Sequence, residues 1–177
     1  MEEMKILGID PGTGRLGWAV VSRESVVGSQ LQQTTRKKQQ TSLVACGLIE
    51  TPAKTSLAER LKVIFDKLQI VIKKYQPEQL AIEELFFVKN VKTAISVSHA
   101  RGVAMLSARL ANLEIFEYKP NEIKLAITGY GHADKDQIIK MLKLHLKGCS
   151  IKQDDTADAV AVALTHLQSN SRLKVRN

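Results

Sequence analysis

KILGIDPGTGRLGWAVV, residues 5–21, decides the fold: an apolar run ending on an acid, a glycine-rich turn, then a second apolar run. Lys5–Asp10 predicts a strand with Asp10 at its carboxyl end, and Gly17–Val21 predicts a second. Pro11–Gly14 is the turn between them, with glycines able to supply positive φ. VACGLIET, residues 44–51, predicts a third strand. Three strands in succession without a helix make an antiparallel meander. Its second connection is long: about residues 23–42, including SQLQQTTRKKQQTS, read as an extended polar hairpin loop. Such a glutamine-rich, basic stretch buries too little apolar surface to order itself firmly. Arg36, Lys37 and Lys38 within it are candidates to graze a polyanion.

Working outward, the pattern changes from period two to period 3.6. Ser56 and Glu59 have the S-x-x-E spacing of a capping box, followed by Leu57, Leu61, Ile64, Phe65, Leu68 and Ile72 at helical intervals. Lys73 and Lys74 suit the negative end of that helix, and Pro77 stops it. LAIEE, residues 80–84, predicts a short buried strand, again ending in acids. From Val91 to about Leu113 the sequence predicts a long helix whose small and apolar residues spread around more than one face. One of those faces could meet a second subunit. EIFEY, residues 114–118, predicts a fifth strand, followed by a short helix from Pro120 to Thr128 and a Gly129-Tyr130-Gly131 turn. Asp134 and Gln137 form a second capping pair on a helix closing near Gly148, and the last helix runs from Asp154 or Asp155 to about Gln168. The order β-β-β-α-β-α-β-α-α-α gives an α/β domain over 1–168: a five-stranded mixed sheet, meander first and parallel strands after, flanked by helices. Residues 169–177, with Arg172, Lys174 and Arg176, form a loose basic tail.

The composition narrows the function. At 177 residues, 44% apolar and 25% charged, the chain suits one globular domain, but its formal net charge of +8 favours a polyanionic partner. No segment approaches the roughly 20 apolar residues that span a bilayer, and no signal peptide is visible. Cys46 and Cys149 lack the spacing of a zinc or redox motif and read as reduced thiols, which places the chain in the cytoplasm.

Within this basic chain, a few acids stand where the fold gives them no local task. Asp10 and Glu83 each end an apolar strand, and Asp155 and Asp158 lie three apart at a helix start, sharing a face. A carboxylate at a buried strand end is costly unless a cation or donor neutralises it. Taken singly, Asp10 could begin a turn, Asp155 could cap a helix and Asp158 could favour its dipole. Glu83 is harder to dismiss, because a buried strand ending in AIEE has no local need for an acid. Together they form an oxygen-only ligand set suited to magnesium or manganese, and two such ions about 4 Å apart serve in-line phosphoryl displacement. Lys135 at a helix N-terminus opposes the dipole, so a structural reason for it is poor.

LGIDPGTGRLGWAV (7–20), AIEELFFVKN (81–90), HARGVAM (99–105) and DDTADAVAVALTH (154–166) resemble, in the same order, the motifs of the RuvC family of Holliday-junction resolvases. The resemblance covers nearly the whole chain. It implies a ribonuclease-H-like fold, a homodimer, magnesium-dependent nicking of four-way DNA junctions with two ions per active site, and a branch-migration complex of the RuvA and RuvB type as partner. It makes Asp10, Glu83, Asp155 and Asp158 the metal-binding acids, with Glu84 and Asp154 as neighbours that could be mistaken for ligands. Some relatives carry a histidine at the position of Asp155. Lys124 and Lys135 fall where the family has basic residues near the scissile phosphate. Phe86 corresponds to the aromatic that stacks on bases near the junction centre, Phe87 to a core residue, and Lys89, Asn90 and Lys92 continue that loop onto phosphates. His99, His132, His145 and His166 are read as non-catalytic.

Three other functions compete. A monomeric ribonuclease-H-like nuclease on hybrid or structured RNA leaves the second face of the 91–113 helix without a purpose. A binding module with a decayed site does not account for four intact acids. A nucleotide-phosphate enzyme built on the PGTG turn lacks further phosphate-loop motifs.

Overall fold

The computed structural model describes residues 3–26, 38–85, 91–146 and 154–169. Strands β1 (Glu3–Asp10), β2 (Arg15–Val26) and β3 (Lys38–Glu50) come first. Helix α1 (Leu57–Tyr75), β4 (Gln79–Glu83), α2 (Val91–Leu110) and β5 (Glu114–Tyr118) follow, then α3 (Pro120–Thr128), α4 (Lys135–His145) and α5 (Asp154–Gln168). The sheet runs β3-β2-β1-β4-β5, antiparallel through the meander and parallel from β1 to β4 to β5. Among the described residues no helix is long and apolar enough to cross a membrane.

Alternation along each strand divides the core in two. Leu7 and Ile9 of β1, Val20 of β2 and Leu80 and Ile82 of β4 pack with Ile64 and Leu68 of α1 and Ala100 and Ala104 of α2. Ile6, Ala19, Val21, Ala81, Phe116 and Tyr118 face the other way, onto α3, α4 and α5. Helix α5 lies closest, because Ala157, Ala159, Ala161 and Ala163 give it a thin, buried surface. At Gly8 the approach leaves no room for a side chain. A Cβ there would sit 2.2 Å from the Ala159 carbonyl oxygen and 2.8 Å from the Ala163 Cβ.

The capping signals formed as their spacing predicts. Ser56 N–H donates to Glu59 Oε2 at 2.9 Å while Glu59 N–H donates to Ser56 Oγ at 3.3 Å. Asp134 and Gln137 exchange the same pair of bonds at 3.0 and 2.8 Å. His166 closes the far end of the α5 face. Its Nδ1 lies 2.5 Å from the Tyr118 hydroxyl and its Nε2 2.7 Å from Gln79 Oε1, with its ring centroid 4.2 Å from that of Phe116 and tilted by 38°. Burial, with Arg23 nearby, pushes the imidazole down to about 4 and burial pushes the Tyr118 phenol up to about 12, so both are neutral. A neutral ring with one donor and one acceptor fits this bridge between α5, β4 and β5.

Some boundaries differ from the sequence expectation. The second and third strands, expected at 17–21 and 44–51, run much further, and the pairing continues to Val26↔Lys38. The extension went unseen because its residues are polar on both faces: Ser22 pairs with Ser42 through their hydroxyls at 2.9 Å, and Glu24 lies opposite Gln40. Helix α2 stops at Leu110, not Leu113, where Asn112 turns the chain with φ 60°. The apolar pattern continued because Leu113 is buried after the turn. Helix α4 ends at His145 rather than near Gly148. Arg36, Lys37, Cys149 and the tail from 170 onward lie outside the described residues.

Gly8→Ala is expected to destabilise the fold by about 1–3 kcal/mol, because an added methyl must displace helix backbone rather than a flexible side chain. Urea denaturation of wild type and variant measures it, and equal midpoints would mean that α5 can lift from β1 at no cost.

Candidate active site

β1 and β4 are parallel neighbours with Ile9 opposite Ile82, so the next pair along is Asp10 and Glu83, both at carboxyl ends. Parity gives their side. Asp10 shares a face with Ile6 and Gly8, and Glu83 with Ala81, which is the face that α5 covers. Helix α5 brings Asp158, beside the Ala159 that rests on Gly8. Glu83, Lys124 and Asp158 line one cavity of about 160 Å³ together with Pro120, Ile138 and Val162. Asp10, Glu83 and Glu84 line a second of about 190 Å³, walled by Leu85, Val97 and Pro120. Glu83 and Pro120 belong to both, so the two cavities adjoin.

Charge is concentrated here. Burial pushes the Glu83 carboxyl up, the nearby Asp158 pushes it further, and Lys124 opposes both. Lys135 Nζ lies 3.3 Å from Asp158 Oδ2. The two lysines arrive from adjacent helices, Lys124 from the middle of α3 and Lys135 from the first turn of α4. Glu84 belongs to the opposite electrostatic neighbourhood, coupled to Arg101 on α2, although it also edges the Asp10 cavity. Among the described residues no group of three or more acids, histidines or cysteines stands close enough together to hold a metal ion. The acids instead meet along two joined cavities.

The turn after Asp10 is fixed from several sides. Thr51 Oγ1 donates to the Thr13 carbonyl at 2.6 Å, and Thr51 N–H to the Gly14 carbonyl at 3.1 Å. The Thr13 hydroxyl lies 2.5 Å from that of Ser96 on α2. A side chain at Gly12 would run into the Arg15 carbonyl, 2.1 Å from its Cβ, which explains the glycine.

The family model for crossover junction endodeoxyribonuclease RuvC matches residues 6–166. The chain belongs to the RuvC family. It is 47% identical over 167 residues to the crossover junction endodeoxyribonuclease RuvC of Brachyspira hyodysenteriae, covering 94% of this chain and 96% of that one. To the RuvC of Roseiflexus sp. it is 44% identical over 167 residues, covering 94% and 92%. The structure of Thermus thermophilus RuvC in complex with a Holliday junction substrate superposes with a TM-score of 0.79 at 30% identity, covering 93% of each chain. The fold is thus that of RuvC, a ribonuclease-H-like sheet.

Of the residues singled out in the sequence, the RuvC fold brings Asp10, Glu83, Asp158, Lys124 and Lys135 to the two cavities or to a residue lining them. Asp155 lies in the first turn of α5, but its side chain is outside the described residues, as is that of Lys92 in α2. Phe86, Phe87, Lys89 and Asn90 are also outside them. Arg101, within the HARGVAM stretch, has a task that the sequence alone does not show. Its Nε donates to the Glu83 carbonyl at 3.2 Å and its Nη2 pairs with Glu117, with both side chains mostly buried. One signal was available. Positions 97, 98, 104 and 105 are Val, Ser, Ala and Met, so a charge in this small-residue helix has no acid one turn away and must find a partner elsewhere.

With Glu83 pushed up, its charged form is less favoured in the folded chain than in the unfolded one, so above the ordinary glutamate range it detracts from stability. Glu83→Gln is therefore expected to raise the thermal midpoint at pH 7 without divalent cations, with the gain vanishing as pH falls through the carboxylate range. A lowered midpoint in calorimetry would contradict the strain assigned to this carboxylate.

Proposed function

We propose that this chain resolves four-way DNA junctions in recombination and repair, as a homodimer that nicks two opposed strands symmetrically. The observation that carries the reading is the meeting of Asp10, Glu83 and Asp158 with Lys124 and Lys135 at one edge of a protein whose net charge is +8. A basic surface attracts phosphates, whereas an acidic pocket at its centre is understandable only with cations between protein and DNA.

Asp10, Glu83, Asp155 and Asp158 would hold magnesium or manganese, two ions in this reading. The donors are oxygen alone, and Glu83 is an acid crowded by another acid, which a cation would relieve. When bound, such ions supply an activated water and a stabilised leaving oxygen. The chain's own residues do the rest. Lys124 and Lys135 hold charge beside the scissile phosphate, and Pro120, Leu85 and Val97 restrict water at the cavity wall. Phe86 stacks on a base, while Lys89, Asn90 and Lys92 hold flanking phosphates. Water adds to phosphorus as the bond to the 3′ oxygen breaks, leaving 5′-phosphate and 3′-hydroxyl ends.

Support for the dimer comes from α2. Its inner face carries Ala100, Ala104 and Ala108 into the core, while Leu106 and Leu110 stand 53% and 62% exposed on the other side with Ile95. Gly102 lies on that side, where an added Cβ would meet nothing. A mid-helix glycine costs about 1 kcal/mol against alanine, so close approach by a second α2 gives it a reason. Two sites related by a two-fold axis match the symmetry of a four-way junction. The reading also places the chain in the cytoplasm, working with a branch-migration complex of the RuvA and RuvB type.

Incubation with a synthetic four-way junction, an RNA–DNA hybrid and plain duplex, with and without magnesium, tests the activity. Paired nicks confined to the junction are expected, and cutting of the hybrid alone would overturn the reading. Asp10→Asn should lower cutting at least about a thousandfold while junction binding in a gel-shift assay stays within a few-fold, a loss of order 4 kcal/mol in the barrier. Leu106→Glu should weaken self-association at least about tenfold by sedimentation, roughly 1.4 kcal/mol, and convert paired nicks to single ones. An intact dimer in that variant would exclude this face of α2 as the interface.

A further inference from the structure

The turn joining α3 to α4 carries a feature that catalysis does not use. Tyr130, between Gly129 and Gly131, is 60% exposed, although a tyrosine on a short connection could have packed against either helix. Its backbone is held firmly. Thr128 Oγ1 accepts the Tyr130 N–H at 3.1 Å and lies 2.9 Å from the Tyr130 carbonyl and 2.8 Å from that of Lys124. Ala133 N–H adds a bond to the same Tyr130 carbonyl at 3.2 Å, and Gly129 turns the chain with φ 74°. The His132 ring meets the phenol edge-on at 5.7 Å. The aromatic is thus set in place and faces solvent.

Beside it lies a shallow cavity of about 280 Å³, lined by Thr128, Tyr130, Gln137, Lys140 and Met141. Its position relates it to the cutting centre. Thr128 follows Lys124 by one turn of α3, about 6 Å along the axis. Gln137 lines this cavity, and the next residue, Ile138, lines the one that holds Glu83 and Asp158. A planar ring, a soft methionine floor and a lysine at the rim suit a stacked base with its phosphate, and the space is below that of ordinary small-molecule pockets. Two acids of this region are engaged locally: Glu122 accepts from Lys119 N–H and Asp134 from Gln137 N–H. Asp136, in the first turn of α4, is the remaining acid there.

We propose that the cavity beside Tyr130 docks one nucleotide of the substrate strand next to the cut, its base stacked on the phenol ring and its phosphate on Lys140. This rests on the junction-cutting reading above. Such a site would set how the strand enters the cutting centre, and stacking would tolerate any base.

The full chain would be bound, without divalent cations, to four-way junctions carrying 2-aminopurine at single positions on either side of the cut. With wild type, one position should change fluorescence on binding. Tyr130→Ala should abolish that change and weaken junction binding at least about fivefold, the smaller end of what base stacking contributes, with an unaltered thermal midpoint. Tyr130→Phe should retain both, and Lys140→Ala should weaken binding while keeping the fluorescence change. Wild-type affinity in Tyr130→Ala, or equal losses in the alanine and phenylalanine variants, would overturn the stacking site while leaving the junction reading intact. An effect of Tyr130→Ala on sedimentation alone would make the surface a protein contact and overturn it too. Failure of wild type to bind the junction would remove the underlying reading itself.

Discussion

The contact between Gly8 and the backbone of α5 is the constraint on which the rest of the molecule depends. A β-strand and a helix normally keep their axes apart by the thickness of two side chains. Here glycine on one side and alanines on the other remove that thickness, bringing the Ala159 carbonyl against β1. Asp10 follows Gly8 by two residues and Asp158 precedes Ala159 by one. The closeness that removes side chains from the core therefore carries two acids toward the same edge. Burial of a small-residue surface and convergence of charge are one geometric fact.

The sheet separates two tasks by parity. On the α5 face, β1 and β4 present Asp10 and Glu83, and α3 and α4 add their lysines. On the other face lies α2, whose far side is apolar and open. Arg101 ties the two together, reaching from α2 to the Glu83 carbonyl and to Glu117 on β5. The Thr13–Ser96 hydroxyl contact does the same for the turn after Asp10. Both strand ends that carry Asp10 and Glu83 are thus braced against the helix proposed to meet the second subunit. A shift of that helix would be felt at Asp10 and Glu83 through short, directional bonds rather than through loose packing.

Most of this was legible in the residues, because burial imposes a period and caps impose chemistry. Glu114–Tyr118 and Pro120–Thr128 stand where they were expected, and both capping boxes formed. The acids were found because a charge ending an apolar strand has no local purpose. What escaped was set by tertiary contact. Residues 22–26 and 38–42 pair as strands without apolar alternation, because even the buried Ser22 is polar and bonds Ser42 across the ribbon, so a rule based on apolar periodicity reads them as loop. Arg101 escaped because its partners lie on β4 and β5, distant along the chain. Tyr130 escaped because exposure cannot be read from one aromatic between two glycines.

The energetics of the site argue against a purely structural task for Glu83. Glu83 is disfavoured by burial and by Asp158, and Lys124 only partly offsets this. A chain selected for stability alone would place an amide or an apolar residue at the end of β4, as the interior of that strand already does with Leu80, Ala81 and Ile82. Lys135, at the wrong end of a helix for its charge, gains its pairing with Asp158 at the expense of the dipole. Each residue alone is a small loss to the fold. Their convergence on one edge gives the losses a common setting, and the cation-bridged polyanion proposed above would reconcile them, because it would turn the mutual repulsion of the carboxylates into affinity for the bridge.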